Sequence, residues 1–272
     1  VAQKEETADT PGFVALMRRY VVDYTNSHDT SVCAEIMEPG YTLHMGDDVL
    51  CGRDELYVPA AVRQFRQFPG LCLTVHEIVT NGDRLALRFS EHGASRTHAG
   101  AVASWAGIGV YRWNGERLVE NYVEQDYLAR RRQLKSGRPT VVEPPAIAPW
   151  DTRAVPSDAD AEATAAKWLH ACVSAGEVRE NDGSAGPRLD GVTVTVDDIF
   201  SAGSAVAFRA TLRGTYAGGL TELSDRHAGA AATLHATGIV HVAEGEVRSG
   251  HVVTDRLALV RAVTSATERP NG

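Results

Sequence analysis

Near the middle of the chain, alternating residues put Glu120, Tyr122, Glu124 and Asp126 on one face of a strand and Val119, Asn121, Val123 and Gln125 on the other. Carboxyls gathered on a buried face repel one another and lose water, so at least one would stay protonated to near neutrality and could donate or accept a proton there. Asp126 is the candidate for that role, while a solvated strand end is the plainer reading of Glu120. Imidazole is the other group that titrates in this range. His44 falls on a short strand that would wall a pocket, His76 and His92 on or beside a central hairpin, and His98 in the loop that follows. These histidines show no HxH or HExxH spacing, so no metal is expected. The chain has no GxGxxG, P-loop or GxSxG sequence, which argues against nucleotide-dependent chemistry and covalent serine hydrolysis; no cofactor is expected. Tyr20 and Tyr24, one helical turn apart, could offer phenols to the pocket, with Trp105 and Tyr111 as walls. Arg88, inside a strand pattern, must face water or pair with an acid such as Glu91 or Asp126.

The elements that must position these groups follow from periodicity. Thr10 as N-cap and Pro11 at the first helical position open a helix whose buried face is Phe13, Leu16, Met17, Tyr20, Val21 and Tyr24. A short helical piece over 32–37 is expected to stop at Pro39-Gly40. A strand over 41–45, a turn at Gly46-Asp47-Asp48 and a helix over 55–68 come next. Strands over 71–80 and 84–91 are joined at Asn81-Gly82, and strands over 102–113 and 117–126 at Asn114-Gly115, pairs that tolerate positive φ. Helices followed by antiparallel strands define an α+β unit, in which helices cover one face of a curved sheet and its concave side encloses a pocket.

With 272 residues, 43% of them hydrophobic, the chain is long enough for two cores. Five of its eleven prolines fall within 136–156, a density that forbids helix and central strand, so this stretch is read as a semi-rigid connector. Ile147 and Trp150 suggest that it lies against a domain surface. The boundaries expected are a complete unit over 10–135, the connector over 136–156 and a shortened unit over 157–268. A second helical stripe begins after Ser157 with Ala161, Ala165, Trp168, Leu169, Cys172 and Val173. Thr74 to Ile78 then resembles Thr195 to Ile199, and the same offset of 121 sets Gly82 on Gly203, Arg88 on Arg209 and Gly93 on Gly214. Tyr122 to Asp126 corresponds to His251 to Asp255. About 20 residues, Gly176 to Thr195, stand where the first unit has Asp29 to Thr74. The second unit is therefore expected to be a poorer pocket and chiefly a packing partner, making the chain an internal pseudo-dimer that exists as a monomer or a homodimer. The net charge of −8 and the purely local basic run at Arg130 to Arg132 exclude nucleic acid as a partner. No run of about 18 apolar residues and no apolar stretch after Lys4-Glu5-Glu6 is present, so neither a membrane span nor a leader is read and a cytoplasmic protein is expected. Cys33, Cys51, Cys72 and Cys172 show no CxxC spacing and are expected to be unpaired.

Residues 12–134 resemble the SnoaL-like polyketide cyclase family of the NTF2-like superfamily, whose fold is a cone-shaped α+β barrel. The likeness rests on Tyr41-Thr42-Leu43-His44 with Gly52-Arg53, Phe68-Pro69, Leu73-Thr74-Val75, Asn81 to Ala86, Thr97 to Gly100, and Asn114 to Glu120 leading to Asp126. It implies two tandem NTF2-like units and a pocket enzyme without cofactor, in which Asp126 is the acid or base of an intramolecular aldol cyclisation and His44 and His98 are polar groups around the pocket. Tyr122 stands where the family has tryptophan, and Ala101 to Ser104 replace a Pro-Thr-Gly loop. The resemblance thus implies acid/base cyclisation or isomerisation of a hydrophobic, carbonyl-containing small molecule. Catalysis would fall to Asp126, His44 and His98, and substrate contact to Tyr20, Tyr24, His76, Arg88, Trp105, Tyr122 and Glu124. Two alternatives of the same fold are epoxide opening, for which Asp126 and Arg88 supply two members of an Asp-Arg-Asp group, and a non-catalytic binding or interaction protein.

Overall fold

A computed structural model describes residues 12–175 and 186–268, so Thr10 and Pro11 lie outside the described residues. Helix α1 (Gly12–Arg18) runs on into wider, π-helical turns over Arg19–Thr25, where the Asn26 N–H donates to Val21 O at 2.9 Å. Phe13, Leu16, Met17, Tyr20, Val21 and Tyr24 are buried, as their spacing predicts. After the short α2 (Cys33–Ile36) come strands β1 (Met37–Met45) and β2 (Asp48–Cys51), a second π-helical stretch over Arg53–Tyr57, and α3 (Val58–Gln67). Pro39-Gly40 does not end an element as expected. It lies inside β1, where the register shifts between Met37 and Thr42, and such a bulge accommodates a proline that cannot donate to the ladder.

Strands β3 (Cys72–Thr80), β4 (Arg84–Ala94), β5 (Val102–Trp113) and β6 (Leu118–Gln125) complete a six-stranded sheet of order β2-β1-β6-β5-β4-β3, and α4 (Tyr127–Ser136) follows. The sheet is not wholly antiparallel, because β1 pairs with β6 in parallel. Gly107 of β5 faces Phe89 of β4, and a Cβ at Gly107 would lie 2.3 Å from the ring. Gly107→Ala should therefore destabilise the protein by about 1–3 kcal/mol in urea unfolding, the usual cost of overpacking. A variant as stable as the wild type would mean that the ring has room to swing away.

The second module has α5 (Ala159–Ala175), strands β7 (Arg188–Ala202), β8 (Ala205–Gly218), β9 (Ala231–Ala243) and β10 (Glu246–Thr254), and α6 (Arg256–Glu268). Its four strands run in the order β10-β9-β8-β7, and among the described residues nothing corresponds to β1, β2 or α3. Ala161, Ala165 and Leu169 of α5 are buried against this sheet and Trp168 packs on Phe208; the side chains of Cys172 and Val173 lie outside the described residues.

The two modules match in detail. One bulge lies between Val75 and Glu77 and another between Val196 and Asp198, each followed by a carboxylate opposite an arginine, Glu77 facing Arg88 and Asp198 facing Arg209. Asp126 and Asp255 each donate a backbone N–H to the strand beside them, to Ala106 O at 2.9 Å and His235 O at 3.1 Å. This α+β architecture of two sheet-and-helix modules is consistent with NTF2-like duplication.

The sheets pack face to face through Val79, Ala86, Ile108 and Val110 on one side and Phe200, Ala207, Ile239 and Val253 on the other. The connector runs along the edge of β3, where Ala146 N–H donates to Val75 O at 2.8 Å and Val155 N–H to Thr80 O at 3.0 Å, covering a sheet edge that would otherwise offer free hydrogen-bonding groups. Trp150 packs on the first core, but Ile147 is 98% exposed, contrary to its expected contact. Cys33, Cys51 and Cys72 are free thiols. No described helix is long and apolar enough to cross a membrane.

Candidate functional site

Between the helices of the first module and its sheet lies a cavity of about 400 Å³, a size that suits a drug-sized molecule. The helical side contributes Tyr20, Tyr24 and Tyr57, all from π-helical turns. Their phenols touch, with Tyr20 Oη and Tyr57 Oη 3.0 Å apart and Tyr24 Oη donating to Tyr57 Oη at 3.3 Å. Burial pushes all three well above the ordinary phenol range, so they stay neutral and can donate hydrogen bonds. The sheet side contributes Leu73, Phe89, Glu91, Tyr111, Asn121, Val123 and Gln125.

Glu91 is the buried acid of this cavity, at 6% exposure. Gln64 Nε2 donates to its Oε2 at 2.6 Å. Loss of water raises its pKa to about 7, although the Arg130 guanidinium and the Gln64 amide both favour the charged form. Arg130 is held over the rings of Tyr127, at 4.1 Å, and Trp105, at 5.0 Å. The Trp105 indole N–H donates to Gln125 Oε1 at 2.7 Å, which fixes the Gln125 amide at the cavity wall.

Of the residues expected at the site, the structure brings Tyr20 and Tyr24 into this cavity and sets the others elsewhere. Trp105 stands behind the wall and reaches the cavity through Gln125. The strand alternation holds, but it is Asn121, Val123 and Gln125 that look inward, because Glu120, Tyr122 and Glu124 lie on the face turned toward the second sheet. The Asp126 carboxylate accepts from Ala129 N–H at 3.0 Å as the N-cap of α4 and forms a buried ion pair with Arg256 of the second module. It borders a crevice of only about 50 Å³, which has room for water and not for an organic substrate.

His44 also points away, since its neighbours Leu43 and Met45 face in. Its Nε2 meets Glu120 Oε1 at 2.9 Å and its ring stacks on Tyr122 at 4.4 Å. Tyr122 lies under the Arg209 guanidinium at 5.0 Å. His98 is exposed in a short 3₁₀ turn, with Nδ1 3.0 Å from the hydroxyls of both Ser95 and Thr97. His76 is the extra residue of the β3 bulge and joins Ser90 Oγ, at 2.8 Å, to Pro144 O, at 3.0 Å. Arg88 pairs with Glu143 at 2.6 Å and Glu77 at 3.4 Å, not with Glu91 or Asp126. Sequence reasoning passed over Glu91, Gln64, Tyr57 and Asn121 as site groups. For Glu91 the usable signal is parity, because it follows Phe89, Leu87 and Leu85 on one face of β4.

Glu124 borders a second cavity of about 470 Å³ between the modules, together with Asp255. Glu124 is fully buried and accepts from Gly46 N–H at 3.1 Å and 3.2 Å. Burial and the nearby Asp255 charge raise its pKa well above the usual carboxylate range, and burial raises that of Asp255 to about 8. The folded protein therefore keeps a proton at Asp255 that the unfolded chain has already released between about pH 4 and 8, so stability falls as pH rises through that window. Asp255→Asn keeps the oxygen that accepts from His235 N–H at 2.8 Å. Urea unfolding should find the stability advantage of this variant over the wild type larger above pH 8 than at pH 4 by at least about 1 kcal/mol. An equal pH dependence in both proteins would refute the assignment.

The first module is thus an α+β unit whose helices and sheet close over a cavity lined by a buried acid and a set of phenols. Residues 15–134 match the model of the SnoaL-like polyketide cyclase family, so the first half of the chain has the SnoaL-like, NTF2-like superfamily fold. Similar solved structures include a proposed SnoaL-like polyketide cyclase from Jannaschia sp. CCS1, 16% identical with a TM-score of 0.43, covering 50% of this chain and 99% of that one. AclR, a proposed hydroxylase from Streptomyces galilaeus, is 20% identical with a TM-score of 0.43, covering 47% of this chain and 98% of that one. IdmH, a proposed polyketide cyclase from Streptomyces antibioticus, is 21% identical with a TM-score of 0.40, covering 47% of this chain and 99% of that one. No curated protein matches the chain.

Proposed function

We propose that the first module is a cofactor-independent acid/base enzyme acting on a small, largely apolar carbonyl compound, with Glu91 as the group that moves the proton. The observation that carries this reading is a buried carboxyl on the wall of a drug-sized cavity with its pKa brought to about 7, the value at which one group both takes and returns a proton in neutral solution. Glu91 takes a proton from the carbon beside the carbonyl, Gln64 holds the carboxylate in place, and a neutral phenol of the Tyr20-Tyr57-Tyr24 cluster donates to the developing enolate oxygen. In a site closed to water such fixed donors stabilise charge strongly. The enolate then closes on a second carbonyl of the same molecule, whose alkoxide takes the proton back from Glu91, or is reprotonated by Glu91 at another carbon, giving cyclisation or isomerisation.

Tyr20 and Tyr24 remain substrate contacts in this proposal, and Trp105 a support behind them. Asp126 is given a structural role. Epoxide opening has less support, because Arg88 lies between Glu77 and Glu143 on the opposite face of the sheet. We further propose that the two modules arose by duplication, with boundaries at 10–135 and 157–268, and that the second sheet replaces the partner subunit of a dimer. The test is to recover the small molecule retained by the purified protein or supplied by its pathway, and to compare its turnover by the wild type and by Glu91→Gln. Loss of turnover is the expected result, and unchanged turnover removes Glu91 from the chemistry.

A further inference from the structure

Asn121 sits opposite Tyr111 in the ladder between β5 and β6 and is 1% exposed. Its side chain lines the cavity, and its Oδ1 has no hydrogen-bond partner among the described residues. Leaving a buried amide oxygen unpaired is costly, so an oxygen of this kind turned toward a ligand-sized space asks for a donor from the ligand. An amide oxygen accepts and cannot donate. The apolar walls beside it, Val123 and Phe89, call for a hydrophobic framework on either side.

On the reading of this cavity as a small-molecule site, we infer that Asn121 selects the substrate, which carries a neutral hydroxyl, a phenol or an enol, donating to Asn121 Oδ1 from an otherwise apolar skeleton. A hydroxyl fits better than an ammonium group, because a buried cation needs a fixed anion beside it, and Glu91 is neutral for about half the time near pH 7. A hydroxyl also accepts, so the Tyr111 phenol packed beside Asn121 can donate to the same oxygen.

The test uses a matched pair of probes, 2-naphthol and naphthalene, titrated by fluorescence into the wild type and into Asn121→Leu. The wild type should bind 2-naphthol at least about tenfold more tightly than naphthalene, the usual worth of a buried acceptor satisfied against one left bare. Asn121→Leu should lose that preference by weakening 2-naphthol and leaving naphthalene bound as well or better. Equal binding of the two probes by the wild type, or a preference that survives in Asn121→Leu, overturns the inference and leaves the cavity as a binding site. Binding of neither probe to the wild type overturns the cavity reading itself, and the inference with it. The wild-type comparison stands alone if the variant does not fold.

Discussion

Glu91→Gln should lower turnover by about 10² or more, the typical worth of a positioned proton transfer. The substitution is nearly isosteric and leaves a side chain that Gln64 can still bond, so the cavity should keep its shape and the loss should fall on kcat with little change in KM. The pH profile gives a second readout. If Glu91 acts as the base, the wild-type rate climbs as pH rises through about 7 and then levels, since the carboxylate is the active form, and the residual rate of the variant lacks that limb.

Stability moves the other way. Burial holds a proton on Glu91 up to about pH 7 that the unfolded chain gives up near the ordinary glutamate value of 4.5, so the charged form burdens the fold at higher pH. Glu91→Gln should therefore be more stable than the wild type above pH 7, by up to about 3 kcal/mol in urea unfolding. A variant that is inactive yet more stable cannot owe its inactivity to unfolding. Full turnover, or a pH limb that persists, would sink the assignment.

Asp126→Asn should do the reverse, costing stability and sparing the chemistry. Asparagine caps a helix about as well as aspartate, so the hydrogen bond to Ala129 N–H survives and the substitution removes mainly the charge facing Arg256. Arg256 has no exposed surface, and removing one charge of a buried ion pair should cost about 3–5 kcal/mol. The double variant Asp126→Asn with Arg256→Met should regain much of that loss, because both charges of the buried pair are then replaced by neutral groups. Turnover per folded molecule should stay within a few-fold of the wild type. If Asp126→Asn instead kept its melting behaviour and lost turnover by about 10², Asp126 would be the proton-transfer group and Glu91 would not. The two substitutions thus separate the acid that the strand pattern favours from the acid that the cavity holds.

The local grammar of the chain is legible in its sequence. Apolar residues at helical spacing placed Tyr20 and Tyr24 on the buried face of the first helix, Asn-Gly pairs located both hairpins of the first sheet, and the repeat offset of 121 reappears in the paired bulges at His76 and Asp197. Each of these depends on the residue itself and a few neighbours. Side-chain periodicity and turn propensity are carried by the backbone within one element, so tertiary contacts had little to add.

Which side of the central sheet faces the tyrosine-lined cavity was decided only by packing. Alternation divided the last strand of the first module into an acidic face and a mixed face, but both are buried, one by the helices over the cavity and the other by the second sheet. Burial on both sides leaves nothing in the sequence to distinguish pocket from interface. The acidic face therefore became the meeting surface of two modules, where Arg209 and Arg256 from far along the chain stand beside Glu124 and pair with Asp126. Glu91 likewise owes its raised pKa to burial by the elements packed around it, against Arg130, Gln64 and Trp105, which approach from three other elements and favour the charged form. The spacing of residues determined the strands and their faces. Only the folded chain determined which groups each face set beside a cavity and which it set against the second sheet, because desolvation depends on everything packed around a group and not on its neighbours in sequence.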